Sequence, residues 1–272
     1  MTVQSNQTRL LMVGSGSFLA RQVIAVGGGR FHITAIPHDT AFENLDFSQF
    51  DAVINMAYDP RYKTAEYDAG LDMDMRVATA LAGKGPHFYM MSSRRVYGFK
   101  LPFPADENAP LLPDDTYGRN KKTTEALLQK LLGSRCTILR IANVFGFEYG
   151  RRSFFGTALT TLKHEGRIVL DVSPFMRRDF IPAPLFAERL IGLVEKSPSG
   201  IFNIGSEQAI PVGQIALWII EGFGRGELVV TNPREHDCFL LDCGRLNTAI
   251  GRSPQADIRD YCLQIGRKLR DA

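Results

Sequence analysis

Short apolar runs, each closing on a turn of small residues, constrain the fold of this chain more than any other feature. The first is Leu10-Leu11-Met12-Val13, which runs into Gly14-Ser15-Gly16-Ser17 and then into a helical stretch at 19–26. Gly27-Gly28-Gly29 stop that helix, and 31–36 supplies a second strand. Runs of the same kind recur at 50–58, 88–91, 136–141 and 201–205. A run that is apolar without alternation reads as a strand covered on both faces. Helical stretches between such strands make the crossovers that a parallel sheet needs. The expected class is therefore α/β, with helices wound on both sides of a parallel sheet.

The first turn also carries chemistry. Small residues between a strand and a helix let the backbone approach a pyrophosphate, and the first N–H groups of the helix point at it. A dinucleotide cofactor is the expected occupant, although an ordinary strand, turn and helix shows the same pattern. A second segment bears on the reaction: Tyr117 and Lys121 stand four apart, and 122–132 continues with helical periodicity. Residues at i and i+4 share a helix face. A free tyrosine has a pKa of about 10, and a neighbouring ammonium favours its phenolate, which suits it to proton transfer nearer neutrality. Taken alone, the pair is a tyrosine and a lysine on a solvated helix. The strand at 88–91 adds weight, because it delivers Ser92 and Ser93 at its carboxyl end.

Composition excludes several classes. With 272 residues, 44% hydrophobic and 22% charged, the chain can bury a full core. A formal net charge of +3, with basic residues scattered, gives no electrostatic case for nucleic acid. Cys136, Cys238, Cys243 and Cys262 form no CxxC pair and accompany no histidine cluster, so neither a metal site nor a disulfide framework is expected. Met1 to Arg9 has no apolar centre, and no apolar run approaches the roughly 18 residues a membrane span needs. A soluble cytoplasmic protein with reduced thiols, away from membranes, is the expectation.

Three segments, SSRRVYG from Ser92, YGRNK from Tyr117 and LRIANVFG from Leu139, stand in a telling order and spacing. They resemble the extended short-chain dehydrogenase/reductase family, in its nucleotide-sugar epimerase, dehydratase and reductase branch. The similarity runs from Leu10 to about Gly251. It implies a Rossmann-type doubly wound sheet over 1–146 that holds the cofactor and the catalytic residues. It also implies a small substrate-binding domain within 147–272, formed by C-terminal inserts at about 147–181 and 225–240, with 182–224 returning to the first domain. The implied cofactor is NAD or NADP. Gly14, Gly16, Ser17, Phe18 and Leu19 would hold it at the turn, with His38, Ala57, Tyr117 and Lys121 further along the chain. The family turn reads GxxGxxG, and here that register falls on Gly14, Ser17 and Ala20, with Gly16 one position away. At His38 no acid is present for a ribose hydroxyl and no arginine for a 2′-phosphate, so the sequence leaves NAD and NADP open. A homodimer is implied as well.

By the same resemblance Tyr117 is the acid/base, Lys121 lowers its pKa and Ser93 polarises the reacting sugar oxygen. Asn143, Arg178 of Arg178-Asp179-Phe180 and Arg234 of Arg234-Glu235-His236-Asp237 would face the diphosphate of a nucleotide-sugar substrate. The acidic residue that follows the first of these arginine segments in the family is replaced by Leu185. Arg94 or Arg95 would reach the sugar pocket, or else each stands on a solvated loop. Dehydratases of the family carry an Asp-Glu pair where Arg94 and Arg95 stand, and arginine cannot act as a base. The Cys and His of the C3/C5 epimerase-reductases are missing too, since Arg95 and Phe154 stand near those positions. What is left is chemistry at one carbon. The first expectation is reduction of a 4-keto sugar, the second C4 epimerisation with retained NAD. A third, from another class, is a dinucleotide-sensing protein that keeps the fold without catalysis.

Overall fold

The computed structural model describes residues 7–99, 104–234 and 238–272. Six strands form the central parallel sheet: β1 (Arg9–Val13), β2 (His32–Ile36), β3 (Ala52–Asn55), β4 (His87–Ser93), β5 (Cys136–Ile141) and β9 (Gly200–Ile204). Their order is β2-β1-β3-β4-β5-β9. The runs are apolar because both faces are covered. Leu10 and Met12 point to one face, where α1 (Phe18–Gly27), α5 (Ala183–Lys196) and α7 (Gly244–Ile250) pack. Leu11 and Val13 point to the other, against α2 (Met73–Leu81) and α3 (Thr116–Leu132). Alternate residues of one strand therefore seed two cores.

β4 extends beyond its apolar run at both ends. Ser92 pairs with Arg140 and Ser93 with Ile141 in the ladder with β5, so backbone pairing carries the polar residues to the carboxyl edge of the sheet. The described part of the proline-rich segment, 104–115, holds an isolated bridge from Ala105 to Leu241 and a turn closed by Ala109 N–H on the Asp106 carbonyl, with no strand or helix.

The second half of the chain builds a third core. It is formed by α4 (Phe154–Glu165), β7 (Arg167–Leu170), β8 (Arg177–Pro182), α6 (Val212–Phe223) and α8 (Ile258–Asp271). β6 (Asn143–Phe145), β8 and β10 (Ala209–Pro211) make a three-stranded sheet, and β7 pairs with β11 (Glu227–Val230). The return expected at 182–224 divides between cores. α5 and β9 pack on the central sheet, whereas α6 lays Ile215, Ile219 and Phe223 into the third core beside Cys262, Ile265 and Leu269 of α8. Trp218 packs against this core while only partly buried. Among the described residues no helix is long and apolar enough to cross a membrane.

Candidate active site

Strand order reverses between β1 and β3, and in open parallel sheets a ligand crevice opens at the carboxyl ends flanking such a reversal. A cleft of about 900 Å³ lies there, between the sheet edge and the third core. Ser17, Phe18, Leu19 and Ala57 line its turn side, Asn143 and Arg178 the opposite side, and Ser93, Tyr117 and Lys121 line it as well. The three segments that carried the sequence argument thus meet in one place.

Five expected residues do not reach the wall as side chains. His38 is exposed in the turn after β2. Arg94 is 4% exposed and stacks on Phe239, its guanidinium carbon 4.1 Å from the ring centroid, so its charge is tucked under the site. Arg234 is exposed outside the cleft, and the acidic end of its segment, 235–237, lies outside the described residues. Gly14 acts through its backbone. It has φ 86°, and a Cβ there would fall 2.8 Å from the Ala57 nitrogen, so β1 and β3 approach this closely only with glycine. Gly16 shows the reverse, since a Cβ on it would meet nothing within 4 Å. With Ser17 capping α1 through the Ala20 N–H, the turn offers open space at a helix amino terminus, which fits a dinucleotide pyrophosphate.

Local sequence explains how Tyr117 comes to Ser93. Ser93 caps the short turn at 94–97 by accepting the Arg95 N–H, and Asp115 caps α3 by accepting the Gly118 N–H at 2.7 Å. A side chain at 118 would collide with the Arg95 carbonyl oxygen, so glycine lets the first turn of α3 rest directly on the serine turn. Arg95 braces the two by an ion pair to Asp115 at 2.6 Å.

Behind Tyr117 the polar groups are buried and paired. Lys121 Nζ donates to Asp74 Oδ2 at 2.7 Å, with the two side chains only 5% and 4% exposed. Asn55 Nδ2 donates to the other Asp74 oxygen at 2.8 Å, and the same amide exchanges bonds with the backbone of Ala57. Burial opposes the charge on Lys121, yet the Asp74 carboxylate, with Tyr117 and Tyr62, outweighs it and holds the ammonium above the ordinary lysine range. Asp72, two residues earlier at the cap of α2, accepts from the hydroxyls of Thr124 at 2.5 Å and Tyr67 at 3.0 Å. Burial first, and then the Asp74 charge, push its carboxyl up. Deeper still, Arg140 grips Glu125 through Nε and Nη2 while Ser92 donates to Glu125 at 2.5 Å.

Sequence reasoning missed several groups of the wall: Asn55, Lys63, Asp74, Glu148 and Arg151. Asn55 was signalled by an amide closing an apolar run, and Arg151 by the Ser153 cap that opens α4. Lys63 Nζ stands 4.5 Å from the Tyr58 ring centroid and 5.7 Å from that of Tyr117, on a loop with no periodicity to mark it. Glu148 lines the cleft beside Arg151, whose Nε is 3.9 Å from it, and burial pushes its carboxyl up. Among the described residues no three His, Cys, Asp or Glu side chains gather to hold a metal ion.

Comparison with known proteins bears on the fold and the family. The chain is 25% identical over 198 residues to mouse dTDP-D-glucose 4,6-dehydratase, a match covering 70% of this chain and 52% of the relative. It is 30% identical over 185 residues to a putative UDP-glucose 4-epimerase of Methanocaldococcus jannaschii, covering 63% and 59% respectively. The match thus spans little more than half the length of either curated relative. In three dimensions the chain is similar to TunA, an NAD-dependent NDP-hexosamine 5,6-dehydratase of tunicamycin biosynthesis, with TM-score 0.83, 18% identity and coverage of 97% and 98%. It is similar also to UDP-N-acetylglucosamine 4-epimerase from Bacillus cereus, with TM-score 0.81, 20% identity and coverage of 97% and 100%. RMD from Pseudomonas aeruginosa, solved with NADPH, gives TM-score 0.80 at 19% identity, covering 97% and 99%. These likenesses establish the fold, and the family model that matches residues 7–205 establishes the lineage: the chain belongs to the NAD dependent epimerase/dehydratase family.

Proposed function

We propose that the protein is an NAD(P)-dependent oxidoreductase that reduces the 4-keto group of a nucleotide-linked sugar. The observation that carries this reading is the convergence of Ser93, Tyr117 and Lys121 on one cleft beside the Gly14 turn. Nicotinamide, when bound, supplies the hydride. Tyr117 gives its proton to the carbonyl oxygen as the carbon is reduced, which turns the ketone into an alcohol. Ser93 donates a hydrogen bond to the same oxygen, and Lys121 keeps a positive charge behind the phenolate that Tyr117 becomes. On the far wall, Asn143 and Arg178 hold the diphosphate, with Arg151 as a further cation; Arg234 has no part in this reading. Arginines suit that task because their forks match phosphate oxygens.

C4 epimerisation with retained NAD is the second reading, favoured by the names of the archaeal relative and of the B. cereus structure. A cytoplasmic homodimer is the setting the family resemblance implies, and light scattering tests the dimer. The reaction is tested by mixing the purified protein with NADH or NADPH and a panel of nucleotide 4-keto sugars while following nicotinamide absorbance. Net oxidation of the cofactor with alcohol product is the expected result. Epimer formation without net oxidation selects the second reading. Cofactor binding with neither product makes the protein a dinucleotide sensor.

A further inference from the structure

Lys121 does not face Tyr117 as a lone cation. Its ammonium is closed onto a carboxylate at 2.7 Å in a site both residues occupy with almost no exposure. That carboxylate is anchored on its other oxygen by Asn55, which in turn fixes Ala57, the residue packed against Gly14. A continuous line of contacts therefore joins the cofactor turn to the lysine. We propose that Asp74 is the positioning residue of this active site: it fixes Lys121 behind Tyr117, and its negative charge sets the pH at which the lysine and tyrosine together give up a proton. The inference rests on the reading of Tyr117 and Lys121 as the proton-transfer pair.

The physical reason is charge balance. Two interacting groups share their titration, so the first proton lost belongs to the pair. An anion in direct contact raises the proton affinity of that pair whichever member lets go first. Without Asp74, either Tyr117 would ionise against an uncompensated ammonium or Lys121 would shed a charge that burial disfavours. Both routes move the first loss to lower pH. Other charged or titratable groups stand close to the pair. Tyr62 lies under Lys121, its ring centroid 5.4 Å from Nζ, and its hydroxyl bonds Thr124 at 2.6 Å. Asp72 is occupied by Thr124 and Tyr67, and Glu125 is paired with Arg140. Cys136 is a buried thiol pushed up to about 12, first by burial and then by Asp74 and Glu125. Lys63 and Tyr58 stand on the outer side of Tyr117. Asp74 alone among these anions touches the lysine.

The test compares the wild type with two neutral variants, Asp74→Asn and Asp74→Ser, and one that keeps the charge, Asp74→Glu. Two readouts are taken: the alkaline limb of kcat/KM, and NMR titration of [13Cζ]tyrosine and [13Cε]lysine, with the Tyr117 and Lys121 signals assigned from Tyr117→Phe and Lys121→Met. In whichever neutral variant folds, the limb and the lower of the two titration midpoints should fall by about one pH unit or more. Asp74→Glu should stay near the wild type. A midpoint that falls in a protein without turnover on any 4-keto sugar supports the role of Asp74 while removing the proposed reaction. A folded neutral variant with neither readout moved, or an Asp74→Glu variant that shifts as far as the neutral ones, overturns it.

Discussion

β4 begins at His87 and ends at Ser93, and its two ends differ as the two ends of the whole sheet do. At the amino end, polar groups pair with their neighbours without a cleft between them. Arg9 grips Asp51 through Nε and Nη2, and His87 Nε2 lies 2.7 Å from the Thr137 hydroxyl. At the carboxyl end, Asn55 and Lys121 are buried and share the Asp74 carboxylate, and Ser92 and Arg140 are buried and share that of Glu125, beside a cleft. Both ends pair their buried polar groups, as folding demands, with Arg135 Nη1 at the amino end an exception. Only one does so while leaving open space beside polar side chains. What distinguishes the site is this: its partners converge on a space that a ligand can enter.

The largest test of that contrast is chemical. Tyr117→Phe removes one hydroxyl from the cleft wall, and loss of a general acid costs about 10²- to 10⁴-fold in rate. We expect kcat to fall by that factor, with a thermal midpoint close to the wild type. Retention of full turnover would place the chemistry elsewhere and erase the distinction between the two ends.

The next test asks whether the carboxyl end supports the fold as well as the reaction. Arg140 and Glu125 are 2% and 4% exposed, and Arg140 Nη1 also reaches the Tyr97 hydroxyl and the Glu107 carbonyl. Arg140→Met leaves Glu125 as a buried charge with only Ser92 beside it, and breaking one side of such a pair costs about 3–5 kcal/mol. Urea unfolding should show that loss. Glu125→Leu in the same chain should restore much of it, because the uncompensated charge is then gone. A single variant as stable as the wild type would mean that the pair contributes nothing net.

The sheet and the meeting of Ser93, Tyr117 and Lys121 in one cleft were legible because each follows from a strict local rule. Apolar runs need covering on both faces, and an i, i+4 spacing puts Tyr117 and Lys121 on one face of α3. Asp74 and Lys63 were not legible for a physical reason. Asp74 sits in the first turn of an amphipathic helix, where an acid is ordinary, and only tertiary packing brings Lys121 to it. Lys63 ends a single 3-10 turn with no period to interpret. Arg94 shows the opposite failure. Its place after Ser93 suggested the sugar pocket, but the turn it opens directs it onto Phe239. Likewise α6 reads as one more helix of the return segment, and only the apolar stripe of α8 decides which core it joins.

A smaller effect is expected where the cleft meets the third core. Arg178 lines the wall and Arg234 does not, although the two segments look alike in sequence. Loss of a charged hydrogen bond costs about 1.5–3 kcal/mol, roughly ten- to a hundred-fold in affinity. Calorimetry with a nucleoside diphosphate should show that weakening for Arg178→Ala and almost none for Arg234→Ala. Since ground state and transition state share this contact, the change belongs in KM. Equal losses in both variants would bring Arg234 back to the site, and no loss in either would remove the case for a diphosphate.

The smallest effect belongs to the amino end and should leave the reaction untouched. The Thr137 hydroxyl spends its one hydrogen on the Pro198 carbonyl, so His87 must donate from Nε2, and a neutral imidazole suffices for that. A second proton is disfavoured by burial first and by Arg135 next, which together hold the imidazole at about 4, below its ordinary 6.5. The sign follows from linkage. Between those values the unfolded chain binds a proton that the folded chain refuses, so the contribution is present in full above 6.5 and is lost as pH falls toward 4. The side chain is partly exposed, and screening reduces the loss to about 1–2 kcal/mol. His87→Gln keeps a donor toward Thr137 and cannot take the proton. Its urea midpoint should therefore decline less than that of the wild type from pH 6.5 to 4, while turnover at neutral pH stays the same. Parallel declines in the two proteins would show that His87 titrates normally, and a loss of turnover would connect the amino end to the chemistry proposed for the other.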